Sequence, residues 1–246
     1  MRVLIITSEI TIVPDNYHMV SLGLSDIPEV CGIMIVKNRT WTLFFYSLLG
    51  IFGKTAPALS WQIVKNFFTP SNLFRRQSYR TNNKKIWFVK DPNSQDAIDI
   101  IKSEKIDLII NSRSRIIFKS NLLEAPKIGC VNLHHGLLPE QRGQMCDFWA
   151  HLEQASCGFT LHQMTKNPDE GMILRRVEVP RSETSYLEYL DRSSLLELAM
   201  LRSFIRELSN LGTLHGAVHH LSIPFRYRKN PKAQDFELLQ KRGIKV

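Results

Sequence analysis

Asn132 and His134 stand two residues apart at the end of an apolar run, Gly129 to His135. In an extended strand that spacing turns both side chains the same way. The chain then breaks at Gly136 and Pro139 and heads toward a helix near Gly143, so the pair is expected where a strand opens into a pocket-forming loop. A second segment, Gly158 to Ile173, sets His162 in a short strand pattern and Asp169 in a polar loop with Pro168 and Gly171. From there a carboxylate can reach back to the first pair. Acyl transfer to an amine needs donors for the oxygen that gains charge, a group to take the amine proton and a pocket that excludes water; an amide, an imidazole and a carboxylate supply the first two. Each residue alone has an ordinary structural use, in backbone satisfaction, hydrogen bonding or an Asp-x-Gly turn. Their ordered occurrence in one chain carries the argument.

The elements that must position them read as an α/β chain. Arg2 to Ser8 is a β-branched apolar run, and similar runs recur at Val30 to Val36, Ile86 to Val89, Ile106 to Ile110 and Gly129 to His135. Hydrophobicity on both faces predicts central parallel strands. Between the third and fourth runs, Asn93 or Ser94 can cap a helix whose Ala97, Ile98, Ile100 and Ile101 face the sheet, completing a βαβ unit. The expected fold is a Rossmann-like, doubly wound, mainly parallel sheet with ligands at the carboxyl ends of its strands. After Pro180 an apolar stripe at Leu187, Leu190, Leu198, Leu201, Ile205 and Leu208 predicts one long helix ending at Gly212, followed by a basic tail too short for a second core. The expected organisation is a catalytic domain over 1–180, with a helical insertion at about 38–85, and a C-terminal helix and tail over 181–246 packed on it.

Of the 246 residues, 43% are apolar and 22% charged, which suits one α/β core with a small appendage. The net charge of +9 favours acidic partners such as phosphate esters, polyglutamate, nucleic acid or anionic lipid. Cys31, Cys130, Cys146 and Cys157 form no CxxC pair and no secretory leader is read before them, so a reducing cytoplasm is expected. Trp41 to Phe52 is apolar but 12 residues long, short of the roughly 20 needed to span a bilayer, and is read as a buried or interfacial helix. Residues 55–85 carry the basic cluster Arg75, Arg76, Arg80, Lys84 and Lys85 in either a helical insertion, a solvated loop or a lid. His215 and His219 have i, i+4 spacing, but Gly216 and the lack of a third ligand argue against a metal site, and the proposed chemistry needs none.

The pattern Asn132-x-His134, Leu137-Leu138-Pro139, Arg142-Gly143, with Asp169 seven residues after His162, resembles the folate-dependent formyltransferases, a family that includes methionyl-tRNA, glycinamide ribonucleotide and sugar N-formyltransferases. The resemblance is strong over about Ile106 to Pro180. It implies N10-formyltetrahydrofolate as co-substrate, Asn132, His134 and Asp169 as catalytic residues, and His162 as support. It also implies a pterin held by the loop Ser112 to Ile117, through Ser114, Arg115, Ile116 and Ile117, and closed from the other side by Met164, Thr165 and Lys166. Two departures stand out. Gly136 replaces the serine usual before Leu-Leu-Pro, which loosens a hydrogen bond or makes room for a bulkier acceptor. The segment TSEITIVPDN lacks the glycine-rich phosphate loop of the glycinamide ribonucleotide enzymes, which argues against that substrate.

In the expected mechanism Asn132 and His134 donate to the formyl oxygen while Asp169 orients His134 and relays the amine proton. The favoured acceptor is the amine of a nucleotide-linked amino sugar, which is acidic and suits a basic rim. A methionyl-tRNA enzyme is second, because the stretch after Val179 is too short for that family's full β-barrel. A formyltetrahydrofolate hydrolase and a non-catalytic membrane-peripheral protein docking through Trp41 to Phe52 are further alternatives. A homodimer stays open.

Overall fold

The computed structural model describes residues 1–11, 14–53, 56–68, 71–217 and 226–246. The first half runs β1 (Val3–Ser8), α1 (Pro14–Gly23), β2 (Val30–Val36), α2 (Trp41–Phe52), α3 (Pro57–Phe68), α4 (Ser71–Thr81), β3 (Lys85–Val89), α5 (Gln95–Ser103) and β4 (Leu108–Asn111). Then follow α6 (Ser120–Leu123), β5 (Gly129–His134), β6 (Gln141–Gly143), α7 (Cys146–Glu153), β7 (Gly158–Gln163), β8 (Ile173–Glu178), α8 (Tyr186–Leu211), β9 (Arg226–Arg228) and α9 (Ala233–Lys241).

Seven strands form one sheet in the order β3-β2-β1-β4-β5-β7-β8, parallel from β3 to β5 and antiparallel over the last two pairings. Alternation splits the buried side chains between two cores. Val3, Ile5, Ile33, Ile110 and Leu133 face α1 and α8, whereas Leu4, Ile6, Met34, Ile109 and Cys130 face α5 and α6. Both faces of β1 and β4 are covered, so each is buried end to end. The chain runs outward from β1 to the edge strand β3 and returns to β4 on the other side of β1. That reversal between β1 and β4 is the switch point where a doubly wound sheet offers a crevice.

The capping residues behave as their chemistry dictates. Ser94 accepts from the Ala97 N–H at the start of α5, Ser185 accepts from Glu188 at the start of α8, and Gly212 ends α8 in the left-handed conformation. The segment after β2 forms three helices, α2, α3 and α4, so the loop alternative for 55–85 gives way to helix among the described residues. The outer face of α2 is exposed rather than buried: Trp41 is 72% accessible and Phe52 79%. No helix among the described residues is long and apolar enough to cross a membrane.

The tail is threaded into the domain. β9 pairs in parallel with β6, so that Gly143 meets Arg228. A Cβ at Gly143, whose φ is +105°, would lie 2.1 Å from the Arg228 carbonyl oxygen, so the close backbone approach requires glycine there.

Candidate active site

β5 delivers Asn132 and His134 to the carboxyl edge of the sheet beside Asn111, the last residue of β4. Asn111 fixes the site through both ends of its amide. Its oxygen accepts from the Ser114 N–H at 3.0 Å, so its nitrogen is left to donate to Asn132 Oδ1, also at 3.0 Å. The Asn132 nitrogen therefore points the other way, 3.1 Å from His162 Nε2. His162 Nδ1 lies 2.9 Å from the Gln163 carbonyl, which can only accept, so Nδ1 carries the proton and Nε2 receives the Asn132 N–H. The second N–H of Asn132 is left for the cavity. His162 thus positions the Asn132 amide, a task its place in the sequence motif did not state.

His134 is 6% accessible. Its Nε2 is 2.8 Å from the Gln141 carbonyl and must donate to it, while Nδ1 faces Asp169 Oδ1 at 3.5 Å. Asp169 is held from behind, since its Oδ2 accepts from the Gly143 N–H at 3.0 Å. Its Oδ1 also lies 3.7 Å from His162 Nε2. The loop before β8 is tied to the same region by Arg142, buried at 1% accessibility, which pairs with Glu170 at 3.3 Å and donates to the Pro139 carbonyl. The expected two-donor arrangement is thereby altered. His134 spends its Nε2–H on Gln141, and Asn132 is the member of the pair with an N–H left for the cavity.

Gly136 has a different role from the one expected. A Cβ there would come within 2.9 Å of His134 Nε2 and 2.6 Å of Cys146 Cβ. The space is occupied by the imidazole and Cys146, and it is not a recess for a larger acceptor. Burial pushes the Cys146 thiol well above its usual range, with the Asp147 and Asp169 carboxylates adding to the shift, so it offers no thiolate to the site.

Two cavities meet at these residues. One, of about 200 Å³, is walled by Ile116, Ile117, Phe118, Met164, Thr165 and Tyr227, with Asn132, His134, His162 and Asp169 at its inner end. The expected pterin contacts Ser114, Arg115, Ile116, Ile117, Met164 and Thr165 all line it. Lys166 does not; it is exposed, and Asn167 and Pro168 take its place along the wall. The second cavity, of about 260 Å³, opens on the other side toward Ile10, Thr11, Arg113, His135, Asp147 and Asn230. Ser114, Arg115, Asn132 and His134 belong to both. Three non-glycine residues with positive φ line these cavities, Arg113 at 71°, Met145 at 50° and Asp169 at 58°. Such backbone persists where the surroundings over-determine it.

The second cavity has a charged floor that sequence reasoning missed. His135 Nδ1 lies 3.1 Å from Asp147 and its Nε2 3.3 Å from Glu197, which is fully buried on α8. Arg113 pairs with the other Glu197 oxygen, and Ser193 donates to the same carboxylate as His135 at 2.9 Å. Burial works against ionising Asp147, yet the hydrogen bond and charge of His135, together with Tyr186 and His151, hold its carboxyl below the usual range. The signal in the sequence was the doubled histidine, of which only His134 fitted the motif. Tyr227 and Asn230 were missed because β9 pairs with β6 across 85 residues of chain, which no local pattern announces. Among the described residues no group of three His, Cys, Asp or Glu side chains is arranged to hold a metal ion, and His219 lies outside the described residues.

The doubly wound sheet and the Asn-x-His edge meeting a loop aspartate define a class that comparison makes specific. The family model described as formyl transferase matches residues 51–197, which include Asn132, His134 and Asp169. The chain belongs to the formyl transferase family. The methionyl-tRNA formyltransferase of Geobacillus sp. (strain WCH70) is 39% identical over 106 residues, 42% of this chain and 33% of that protein. The bifunctional polymyxin resistance protein ArnA of Wigglesworthia glossinidia brevipalpis is 34% identical over 103 residues, 41% of this chain and 16% of that protein. The chain thus matches about a third or less of the length of these curated relatives. A sugar N-formyltransferase from Shewanella sp FDAARGOS_354 superposes with a TM-score of 0.60 at 17% identity, over 99% of this chain and 88% of that one. A phosphoribosylglycinamide formyltransferase from Anaplasma phagocytophilum also gives 0.60, at 15% identity over 93% and 98%. These two likenesses establish the fold.

Proposed function

We propose that the chain transfers a formyl group from N10-formyltetrahydrofolate to the primary amine of a small acidic metabolite, a nucleotide-linked amino sugar. The observation that carries this reading is the pair of cavities with Asn132 and His134 in their common wall. The residues present suit a folate. Ile116, Ile117, Phe118 and Met164 offer apolar surface to a flat ring, and the buried Ser114 Oγ has no hydrogen-bond partner among the described residues. When bound, the co-substrate supplies a formyl carbon on a nitrogen leaving group.

As the acceptor nitrogen bonds to the formyl carbon and the carbon–N10 bond breaks, negative charge gathers on the formyl oxygen. The free N–H of Asn132 stabilises that charge, and His134, held in place by Gln141 and Asp169, borders the formyl group without spending a further hydrogen bond. Asp169 receives the amine proton and passes it, through water, to N10 of the departing folate. Arg113, His135 and Asp147 face the acceptor, whose amine and acidic groups have partners of both signs there. In this reading residues 1–180 carry the catalytic domain with its insertion at 38–85, and 181–246 supply Glu197, Tyr227 and Asn230. The four free thiols suit a reducing cytoplasm.

The test is release of tetrahydrofolate from N10-formyltetrahydrofolate across a panel of nucleotide-linked amino sugars, with formamide formation followed on the sugar. Turnover with one acceptor supports the reading, and none with any acceptor contradicts the choice of substrate. The 39% identity to a methionyl-tRNA enzyme and the net charge of +9 favour a second acceptor, charged initiator tRNA. Formylation of that tRNA, with binding that falls steeply with salt, would select it.

A further inference from the structure

The helical insertion carries a surface that formyl transfer does not explain. On α2, Trp41, Phe45, Leu49 and Phe52 fall on one face at helical spacing and are 72%, 58%, 65% and 79% accessible. On α3, Trp61 at 54% and Phe68 at 72% lie in one stripe with the exposed Lys65, and Leu73 and Phe74 at the start of α4 are also exposed. The opposite side of α2 is packed. Phe44 stacks edge-on against Phe67 at 5.2 Å, and a Cβ at Gly50 would lie 2.3 Å from Ser60 Oγ on α3. The exposed stripe is thus the side of α2 turned away from α3. Its exposed side chains amount to an apolar patch on the order of 500 Å², as large as the largest patch of an ordinary soluble domain.

The charge around this patch indicates what covers it. From residue 30 to residue 90 the chain has ten lysines and arginines and no aspartate or glutamate. Arg39 directly precedes the α2 stripe, and Lys37 and Arg80 are exposed. Arg75 is not part of the rim, because it is fully buried and donates to the Ser8 and Glu9 carbonyls. A second copy of the chain would bring the same cations face to face and be repelled. Exposed tryptophan and phenylalanine with the exposed Arg39 just ahead of α2 and Lys65 on α3 match the boundary of an anionic bilayer, where rings enter the acyl edge and cations meet headgroups.

We propose that α2 and the adjoining ends of α3 and α4 dock the enzyme on an anionic lipid membrane surface. The docking helix is coupled to the site. Asn38, just before α2, exchanges two hydrogen bonds with Ile10 at 2.7 and 2.8 Å, and Asn66 on α3 donates to the Thr11 carbonyl. Ile10 and Thr11 line the second cavity, so a docked enzyme holds that cavity's wall next to the bilayer.

Flotation with vesicles of phosphatidylcholine alone, and with about one third phosphatidylglycerol, tests the proposal. Expected is recovery with the anionic vesicles only, weakened by salt, and a fall of at least about tenfold in the triple variant Trp41→Ser, Phe45→Ser, Phe52→Ser. That variant should keep its circular dichroism and its thermal midpoint. Absence of binding to the anionic vesicles overturns the proposal, as does equal binding by the variant. So does light scattering showing that the wild type is a dimer which the triple variant converts to monomer. Vesicle binding does not depend on which amine, if any, is formylated.

Discussion

The two cavities that share Asn132 and His134 are built in different ways. The first is walled by Ile116, Ile117, Phe118 and Met164, from loops that follow β4 and β7. The second rests on ionisable groups: Arg113, His135 and Asp147 with Glu197 behind them. Apolar walls recognise a flat ring by area and shape, whereas a buried set of both charge signs recognises a polar ligand by hydrogen bonds and rejects one that leaves a charge unpaired. Under the proposed function, the folate ring is selected by stacking in the first cavity and the acceptor by charge in the second, with the reacting carbon at their junction.

The largest effect is expected at the junction itself. Asn132→Ala and Asp169→Asn should each lower kcat by about 100 to 1,000-fold with KM for both substrates little changed, because the lost interactions strengthen only as charge develops. A comparable rise in KM alone would move both residues out of the chemistry.

Substitutions on either side should separate the substrates. Asp147→Asn is expected to raise KM for the acceptor by about tenfold or more, since a hydrogen bond to a charged group is worth about 1.5–3 kcal/mol, while tetrahydrofolate binding stays as it was. Ile116→Ala should do the converse, weakening folate binding about fivefold through lost apolar contact and sparing the acceptor. Initial-rate kinetics with each substrate varied in turn would read both. If either variant moves the two constants together, the cavities are one site rather than two.

The smallest effect concerns pH. His18 on α1 is buried, and desolvation, with the charge of Arg75, lowers its pKa to about 3 from an ordinary 6.5. The unfolded chain binds this proton more readily, so the stability contribution is intact above about 6.5 and is lost progressively as pH falls toward about 3. Because Arg75 holds the Ser8 and Glu9 carbonyls just ahead of Ile10, acid should weaken the acceptor side before the folate side. Urea unfolding at pH 7 and pH 5 should show a loss for wild type and a smaller one for His18→Leu.

The strands were legible because β1 and β4 are buried on both faces and so read as unbroken apolar runs, and Ser94 and Gly212 announced their helix ends. The positions of Asn132, His134 and Asp169 came from an ordered motif, and the structure gathers them with His162 within hydrogen-bonding or ion-pair range. The environment that sets each proton was not legible. Asn111, Gln141 and Gly143 act through backbone atoms or through an amide orientation that only three-dimensional neighbours determine. The charged floor joins the β5 edge to α8 and the tail reaches both cavities through β9, contacts too distant along the chain for periodicity to reveal. The exposed face of α2 ran against the ordinary expectation that an apolar helix is buried.

The most direct measurement is single-turnover formyl transfer by wild type and Asn132→Ala, each saturated with N10-formyltetrahydrofolate and an acceptor that supports turnover. Expected is tight folate binding by both proteins, with the chemical step in the variant slowed by about 100-fold or more. An unchanged chemical step in a variant that still binds folate would contradict the assignment of the Asn132 amide to the formyl oxygen.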